Sequence, residues 1–247
     1  MSNLIIVTTT KDGQGSTSFA AALGAALAKD QTVLAIDADM SGTGNLVEMM
    51  GISRAGHDGL QRLMGADSFT PEMLLEVAVA HPTNSNLGAI PGLRGTCGRA
   101  PYRFLDSIGP AAKAMNVDHV IIDLGSGLAH PEQTSLRRAA ETMTKYASRL
   151  FVVITDSPSR LVPSIDILRN AKLPGAELII FETRRGALKR QAQQLISESL
   201  PEIHSNVFLP WDPKKAASAE DHQKPMSYAE NLVDFLQLKT LARSKAK

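Results

Sequence analysis

Short runs of apolar, largely β-branched residues recur along the chain, and each is followed by a segment of helical composition. Two runs, Val120-Ile121-Ile122 and Phe151-Val152-Val153-Ile154, are apolar at every position. A strand that is apolar on both faces must be covered on both sides, as strands inside a helix-flanked parallel sheet are. Alternating strands and helices form right-handed βαβ units. The sequence therefore predicts an α/β fold, with a mostly parallel sheet of about seven strands and helices on both faces.

The same patterns predict where the elements lie. The expected strands are Leu4–Thr8, Thr32–Ile36, Asn86–Ile90, His119–Ile122, Leu150–Thr155, Glu177–Phe181 and Asn206–Leu209. The expected helices are Ser16–Lys29, Pro71–Ala80, Tyr102–Met115, Pro131–Ala147, Pro163–Ala171, Ala187–Leu200 and Tyr228–Ala242. Ligands of such sheets bind at the carboxyl ends of the strands, so polar residues that follow a strand are the first candidates for a site.

Composition narrows the function without deciding it. The 247 residues show no repeat, linker or composition break, which predicts a single domain over residues 1–247. The formal charge of +1 offers no general field for nucleic acid or anionic lipid. Cys97 is the only cysteine, which excludes an intrachain disulfide and a cysteine metal cage. Without a leader-like or membrane-spanning stretch, the sequence predicts a cytoplasmic protein.

A glycine-rich segment, Lys11-Asp12-Gly13-Gln14-Gly15-Ser16-Thr17, stands between the first expected strand and the first expected helix. In this order, glycines let backbone N–H groups approach an anion and the helix N-terminus adds its dipole. The segment departs from the P-loop pattern G-x-x-x-x-G-K-[ST], because Ser16 stands where the lysine belongs and Thr10 replaces the leading glycine. It predicts a phosphate-binding loop that lacks its usual lysine.

Carboxylates follow two other expected strands. Asp37 and Asp39 end the second strand, and Asp123 ends the Val120-Ile121-Ile122 strand. Taken singly, each is better explained as a turn residue or a helix N-cap. Taken together, at the edge where the glycine-rich loop lies, they indicate a Mg²⁺ site in which Thr17 supplies the hydroxyl ligand.

With these residues assembled, the chain resembles the MinD/ParA group of P-loop ATPases. The deviant loop of that group reads K-G-G-x-G-K-[ST], against KDGQGST here. Within the group the chain is most similar to the TadZ/CpaE pilus-assembly proteins and related septum-site proteins, which often lose the same lysine. Those proteins carry D-A-D-P-x-G-G, and Asp37-Ala38-Asp39-Met40-Ser41-Gly42-Thr43-Gly44 is close to it. The resemblance implies that ATP and Mg²⁺ are the cofactors and that the protein forms a homodimer.

The resemblance also implies roles for individual residues. Lys11 corresponds to the lysine that reaches the partner's phosphates in an ATP-bound dimer, and Asp39 to the aspartate that orients the attacking water. Asp37 and Asp123 support the metal through its waters, and Thr17 binds the metal directly. The residues implied to bind the nucleotide are Lys11, Gly13, Gly15, Ser16, Thr17, Ser18, Pro210 and Asp212, the last two beside the adenine.

Three departures from the family pattern bear on activity. Ser16 cannot neutralise phosphate charge, and Asp12 puts a carboxylate where the family has glycine. Glu182-Thr183-Arg184 replaces the usual adenine-reading Asn-Arg pair. These changes predict a protein that binds ATP weakly or hydrolyses it slowly, since phosphoryl transfer depends on charge stabilisation.

The predicted function is that of a nucleotide-dependent positioning protein for a larger protein machine, such as a pilus or septum machine, recruited to a pole or to the inner membrane face. The alternatives are a non-hydrolysing pseudo-ATPase scaffold and a ParA-like DNA-segregating ATPase. A DNA surface would use Arg184, Arg185, Lys189 and Arg190, but the near-neutral charge favours a solvated helix start. Likewise, the tail Leu232–Lys247 fits a helix packed on the sheet better than a membrane-binding helix.

Overall fold

The computed structural model describes residues 2–39, 44–66, 68–94, 103–128, 142–171, 173, 175–182, 188–203, 205–210 and 236. Within them the strands are β1 (Asn3–Thr9), β2 (Val33–Asp37), β3 (Val79–Ala80), β4 (Leu87–Ile90), β5 (His119–Asp123), β6 (Arg149–Thr155), β7 (Ala176–Glu182) and β8 (Ser205–Pro210). The helices are α1 (Ser16–Leu27), α2 (Leu46–Met49), α3 (Pro71–Glu76), α4 (Arg103–Ala114), α5 (Pro158–Ala171) and α6 (Lys189–Ser199), with a 3-10 turn over Gly59–Leu63.

The eight strands form one sheet in the order β3-β4-β2-β5-β1-β6-β7-β8. Every neighbouring pair is parallel except the pair β3 and β4, which is antiparallel. The central strand β1 therefore lies between β5 and β6, and the carboxyl ends of β1, β2 and β5 meet at one edge. The predicted α/β fold is confirmed, and that edge is where the loop after β1 lies.

The core is divided into two layers by the sheet. Along β1, Leu4 and Ile6 pack with α3, α4, α5 and α6, whereas Ile5 and Val7 pack with α1 and α2. The alternation arises because successive side chains of a strand point to opposite faces. Helices on both faces explain why the runs Val120-Ile121-Ile122 and Phe151-Val152-Val153-Ile154 are apolar at every position. No helix among the described residues is long and apolar enough to cross a membrane.

Five elements differ from the predictions. Helix α3 ends at Glu76 instead of Ala80, because Val79 and Ala80 form the edge strand β3 beside β4, which raises the strand count to eight. Helix α5 begins at Pro158, five residues before the predicted start at Pro163. The first four N–H groups of a helix have no partner within it. Pro163 is the sixth helical residue, just beyond them, so its missing N–H removes one backbone hydrogen bond near the start of the helix. The short helix α2 and the 3-10 turn were not predicted.

Two predicted helices fall largely on undescribed residues. Of the helix predicted over Pro131–Ala147, residues 131–141 lie outside the described residues, while residues 142–144 are helical with Met143 buried. Of the helix predicted over Tyr228–Ala242, the structure describes Leu236, which is buried against the layer that contains α1.

Candidate functional site

The segment between β1 and α1 is a tight loop in which two glycines have the left-handed backbone conformation. Gly13 has a φ of +71° and Gly15 a φ of +89°, conformations that glycine adopts at little cost. The loop leads directly into α1, where the N–H of Phe19 donates to the Gly15 carbonyl at 2.9 Å. Gly15 also packs against the ring of Phe181, since a Cβ on it would lie 2.9 Å from the ring. Backbone N–H groups next to left-handed residues at a helix start make an anion-binding concavity.

A buried side chain within the loop anchors it to the neighbouring strand. The Gln14 amide is 1% exposed, and its Oε1 accepts a hydrogen bond of 3.1 Å from the Thr155 N–H at the end of β6. Its Nε2 lies 3.2 Å from both the Thr10 and the Ser164 hydroxyl oxygens. Buried polar groups that are fully hydrogen-bonded hold a segment in one conformation. The loop is thus preorganised by Gln14, a residue that the sequence pattern leaves unspecified.

Asp37 ends β2 and is buried against the backbone of two glycines. Its carboxylate accepts from the N–H groups of Asp39 (3.4 Å) and Leu46 (3.3 Å). A Cβ on Gly44 would lie 2.2 Å from Asp37 Oδ1, and a Cβ on Gly92 would lie 2.8 Å from the same atom. Both positions therefore require glycine while this carboxylate is in place.

Asp123 ends β5 directly beside Asp37, to which it is matched in the parallel register. Its Oδ1 accepts from the Gly125 N–H at 3.0 Å, and it also takes a hydrogen bond from the Thr17 side chain. Its Oδ2 is buried and has no hydrogen-bond partner among the described residues. A buried acceptor without a hydrogen bond destabilises the fold unless a bound group donates a hydrogen bond to it.

Burial, with a smaller effect of neighbouring carboxylates, raises the pKa of both groups of this pair. Burial, followed by the charge of Asp123, raises the pKa of Asp37 from 3.8 to about 7. Burial also raises the pKa of Asp123 from 3.8 to about 6, against the opposing hydrogen bond from Thr17. A divalent cation beside the two groups would favour their ionised forms.

Asp39 approaches the same place from the start of the loop after β2. A Cβ on Gly125 would lie 2.5 Å from Asp39 Cγ, so this carboxyl group packs against the backbone that follows Asp123. The structure therefore brings Asp37, Asp39, Asp123 and Thr17 together at the edge where the glycine-rich loop begins α1.

The donors at this edge fit a Mg²⁺ ion with its waters. Carboxylate and hydroxyl oxygens are the ligands of hard cations, and the unpartnered Oδ2 of Asp123 is a ready acceptor for a metal-bound water. Among the described residues, no group of three or more His, Cys, Asp or Glu side chains forms a cage that could hold a metal by itself. The arrangement matches Mg²⁺ that is held mainly by water, a phosphate and Thr17, because Mg²⁺ gives up its waters reluctantly.

For most of the remaining predicted site residues, the structure gives the exposure or the strand pairing. Lys11, Asp12 and Gly13 are exposed, Ser16 is buried, and Thr17 and Ser18 are half-buried. Pro210 ends β8 and is paired in register with Glu182 at the end of β7. Lys189 lies 3.8 Å from the Glu182 carboxylate. Asp212, together with Thr183 and Arg184, lies outside the described residues.

Three contributors to the site escaped the sequence reading: Gln14, Arg54 and Arg160. The guanidinium of Arg54 donates to the carbonyl oxygens of Gly44 (3.1 Å), Gly92 and Leu93 (3.1 Å). It thereby fixes the two glycine segments that enclose Asp37. No local pattern marks these side chains, because their partners are distant in sequence.

Comparison with known proteins identifies the fold. No protein-family model matches the sequence, and no curated protein matches it. Among solved structures, the septum site-determining protein MinD of Pyrococcus horikoshii, complexed with Mg-ADP, superimposes with a TM-score of 0.73 at 22% identity over 100% of both chains. The cell division ATPase MinD of Pyrococcus furiosus gives a TM-score of 0.71 at 20% identity, over 98% of this chain and 100% of that one.

A third structure extends the likeness to ParA proteins. A ParA family ATPase of Chlorobium tepidum superimposes with a TM-score of 0.68 at 18% identity, over 98% of this chain and 95% of the other. Identities this low establish the architecture alone. The chain has the fold of the MinD and ParA ATPases.

Proposed function

We propose that this chain is a MinD/ParA-type positioning protein that binds ATP or ADP with Mg²⁺ at the loop after β1. One observation carries the proposal: the left-handed glycine loop and the Asp37–Asp123 pair meet at one edge of this fold. The P. horikoshii protein of the same fold is complexed with Mg-ADP. Backbone N–H groups of residues 13–17 bind the phosphates, and the resemblance to the family assigns the adenine to Pro210 and Asp212.

Four residues have separate roles at the proposed metal site. Thr17 would hold Mg²⁺ through its hydroxyl, and Asp37 and Asp123 would support it by accepting hydrogen bonds from its waters. Bound Mg²⁺ supplies positive charge next to the phosphates. Asp39 orients the water that attacks the terminal phosphate. Hydrolysis is slow in this proposal, because Ser16 carries no charge and Asp12 adds a negative one beside the loop.

The finer biological role follows from the resemblance to TadZ/CpaE proteins. The protein works in the cytoplasm as a nucleotide-dependent homodimer that marks a pole or the inner membrane face for a pilus or septum machine. Ser16 favours one second candidate, a scaffold that binds nucleotide without hydrolysing it. DNA segregation is the weaker alternative, since a formal charge of +1 provides no general attraction to DNA.

Dimerisation is the step that distinguishes a switch from a passive binder. Lys11 is exposed on the loop, and its ammonium forms no ion pair with any residue that the structure describes. In the proposed dimer it reaches the phosphates bound by the second copy. We expect MgATP to convert wild-type protein from monomer to dimer in sedimentation velocity, and Lys11→Ala to remain largely monomeric.

The controls for this experiment are on the same chain. Lys29→Ala removes an exposed lysine just beyond the other end of α1 and should dimerise like wild type. Asp12→Gly removes the carboxylate beside Lys11 and should dimerise at lower MgATP concentration. Identical sedimentation of wild type, Lys11→Ala and Asp12→Gly with and without MgATP would refute the switch.

A further inference from the structure

A cationic side chain from another helix lies against the glycine-rich loop. Arg160 is the third residue of α5, and its Nη1 donates to the Gly13 carbonyl at 2.5 Å. A Cβ on Gly13 would lie 3.6 Å from Nη1 and 3.9 Å from Nη2. The guanidinium therefore packs against Gly13, the first residue of the loop with the left-handed conformation.

The same hydrogen-bond network that fixes the loop fixes the start of α5. The Ser164 hydroxyl donates to the Arg160 carbonyl at 2.7 Å and accepts from the Thr10 hydroxyl at 2.6 Å. The Gln14 amide nitrogen is 3.2 Å from that Ser164 oxygen. Thr10, Gln14 and Ser164 are all buried, so the backbone of Arg160 has a defined position relative to the loop.

The guanidinium has unused hydrogen-bonding capacity. An arginine has five N–H donors in a planar fork that matches phosphate oxygens. Here one of them reaches Gly13, and among the described residues the others have no acceptor. The side chain is half-buried, which leaves part of it open to a ligand.

The loop, for its part, lacks a buried source of positive charge. Ser16, at the position that holds lysine in a standard P-loop, is neutral and buried. Asp12 adds a carboxylate next to Gly13, and the loop's own lysine, Lys11, is exposed. Phosphates bound to N–H groups alone would have no cationic side chain beside them, and hydrogen bonds between a cationic donor and an anion are among the strongest in proteins.

We propose that Arg160 binds the phosphates of the nucleotide on the same chain and supplies the positive charge that Ser16 does not. The ligand class is a nucleoside di- or triphosphate, and the inference rests on the proposed function of the loop. Arg160 is then a binding residue contributed by α5. The competing explanation is that Arg160 only supports the loop through Gly13.

The test compares the affinities of purified full-length variants for MgADP by calorimetric titration. Arg160→Gln removes the charge but keeps an amide donor for the Gly13 carbonyl, and it should bind about ten-fold more weakly than wild type. Arg160→Lys keeps the charge and should lose less. Arg169→Gln, an exposed arginine of the same helix paired with Asp166, should bind like wild type.

A second background separates phosphate binding from loop support. Ser16→Lys restores a cation inside the loop, so adding Arg160→Gln to it should cost less than half of the fold-change seen in the wild-type background. A pure support role predicts the same fold-change in both backgrounds, and that result overturns the inference. For wild type itself, the Arg160 Nε–H NMR resonance, assigned by its loss in Arg160→Lys, should shift on adding MgADP, whereas that of Arg169 should not.

Failure of the role of Arg160 can be distinguished from failure of nucleotide binding by the loop. If wild type binds MgADP and Arg160→Gln binds it equally well, or if the Arg160 resonance does not move, the role of Arg160 is refuted and the nucleotide site stands. If wild type binds no nucleotide, the proposed function fails and the role of Arg160 fails with it.

Discussion

Replacing Asp37 by Asn is expected to stabilise the nucleotide-free protein above pH 7 and to remove much of its pH dependence. The pKa of Asp37 is raised from 3.8 to about 7 by burial and by Asp123, so the folded state holds a proton that the unfolded state has already released. Stability therefore falls as pH rises from about 4 to about 7, and the full penalty, up to about 4 kcal/mol, persists above that range. Asn cannot ionise and avoids this penalty.

The experiment is urea unfolding of wild type and Asp37→Asn between pH 5 and pH 8. Asp30→Asn, at an exposed position after α1, is the matched control and should follow the wild-type curve. With saturating MgATP the order should reverse, because the cation favours ionised Asp37 and the variant lacks that charge. A wild-type stability that rises between pH 5 and pH 7 would contradict the assignment of Asp37 as a buried carboxyl that resists ionisation.

Gly59→Ala is expected to destabilise the protein by about 4 kcal/mol. Gly59 begins the 3-10 turn with a φ of +54°, and a Cβ on it would lie 2.0 Å from the Pro91 carbonyl oxygen. The following N–H, of Leu60, donates to that same oxygen at 2.8 Å, so the backbones cannot separate without loss of this hydrogen bond. The substitution combines backbone strain with a clash against backbone.

Two other glycines separate these causes in the same unfolding measurement. Gly56 has a φ of +78° but open space around it, so Gly56→Ala should cost only the strain, about 1 kcal/mol. Gly65 has open space and no positive φ, so Gly65→Ala should be nearly neutral. Equal losses for Gly59→Ala and Gly56→Ala would show that the contact with Pro91 is not tight. Because Pro91 precedes Gly92, the Gly59 variant should also weaken the enclosure of Asp37.

Much of the fold could be predicted because its main signal is local. The strands β1, β5 and β6 are apolar at consecutive positions, and Leu4 and Ile5 do pack into opposite layers. The prediction was wrong at β3, where Val79 and Ala80 continue an apolar helical pattern and become a strand only through pairing with β4. It was also wrong at the start of α5, where Pro163 was interpreted as a helix start although Leu161, one turn from the true start, is already buried against the sheet.

The candidate site, too, could be predicted from the sequence only in part. The glycine-rich loop and the carboxylates at strand ends are visible in the sequence, since each follows a strand whose end defines the edge of the sheet. The parallel register places Asp37 beside Asp123, as that argument requires. The contacts of Gln14 with Thr155 and Ser164 span 141 and 150 residues, and that of Arg160 with Gly13 spans 147. Such contacts depend on the packing of β6 and α5 against the loop, which no local pattern reports.

In the function proposed here, the loop after β1 binds the phosphates of a nucleotide. The most direct measurement is a crystal structure of the full chain grown with MgADP. We expect a diphosphate on the backbone N–H groups of residues 13–17, with Mg²⁺ beside Thr17 and Asp123. A structure with ADP bound elsewhere, or with the loop empty at saturating MgADP, would contradict it.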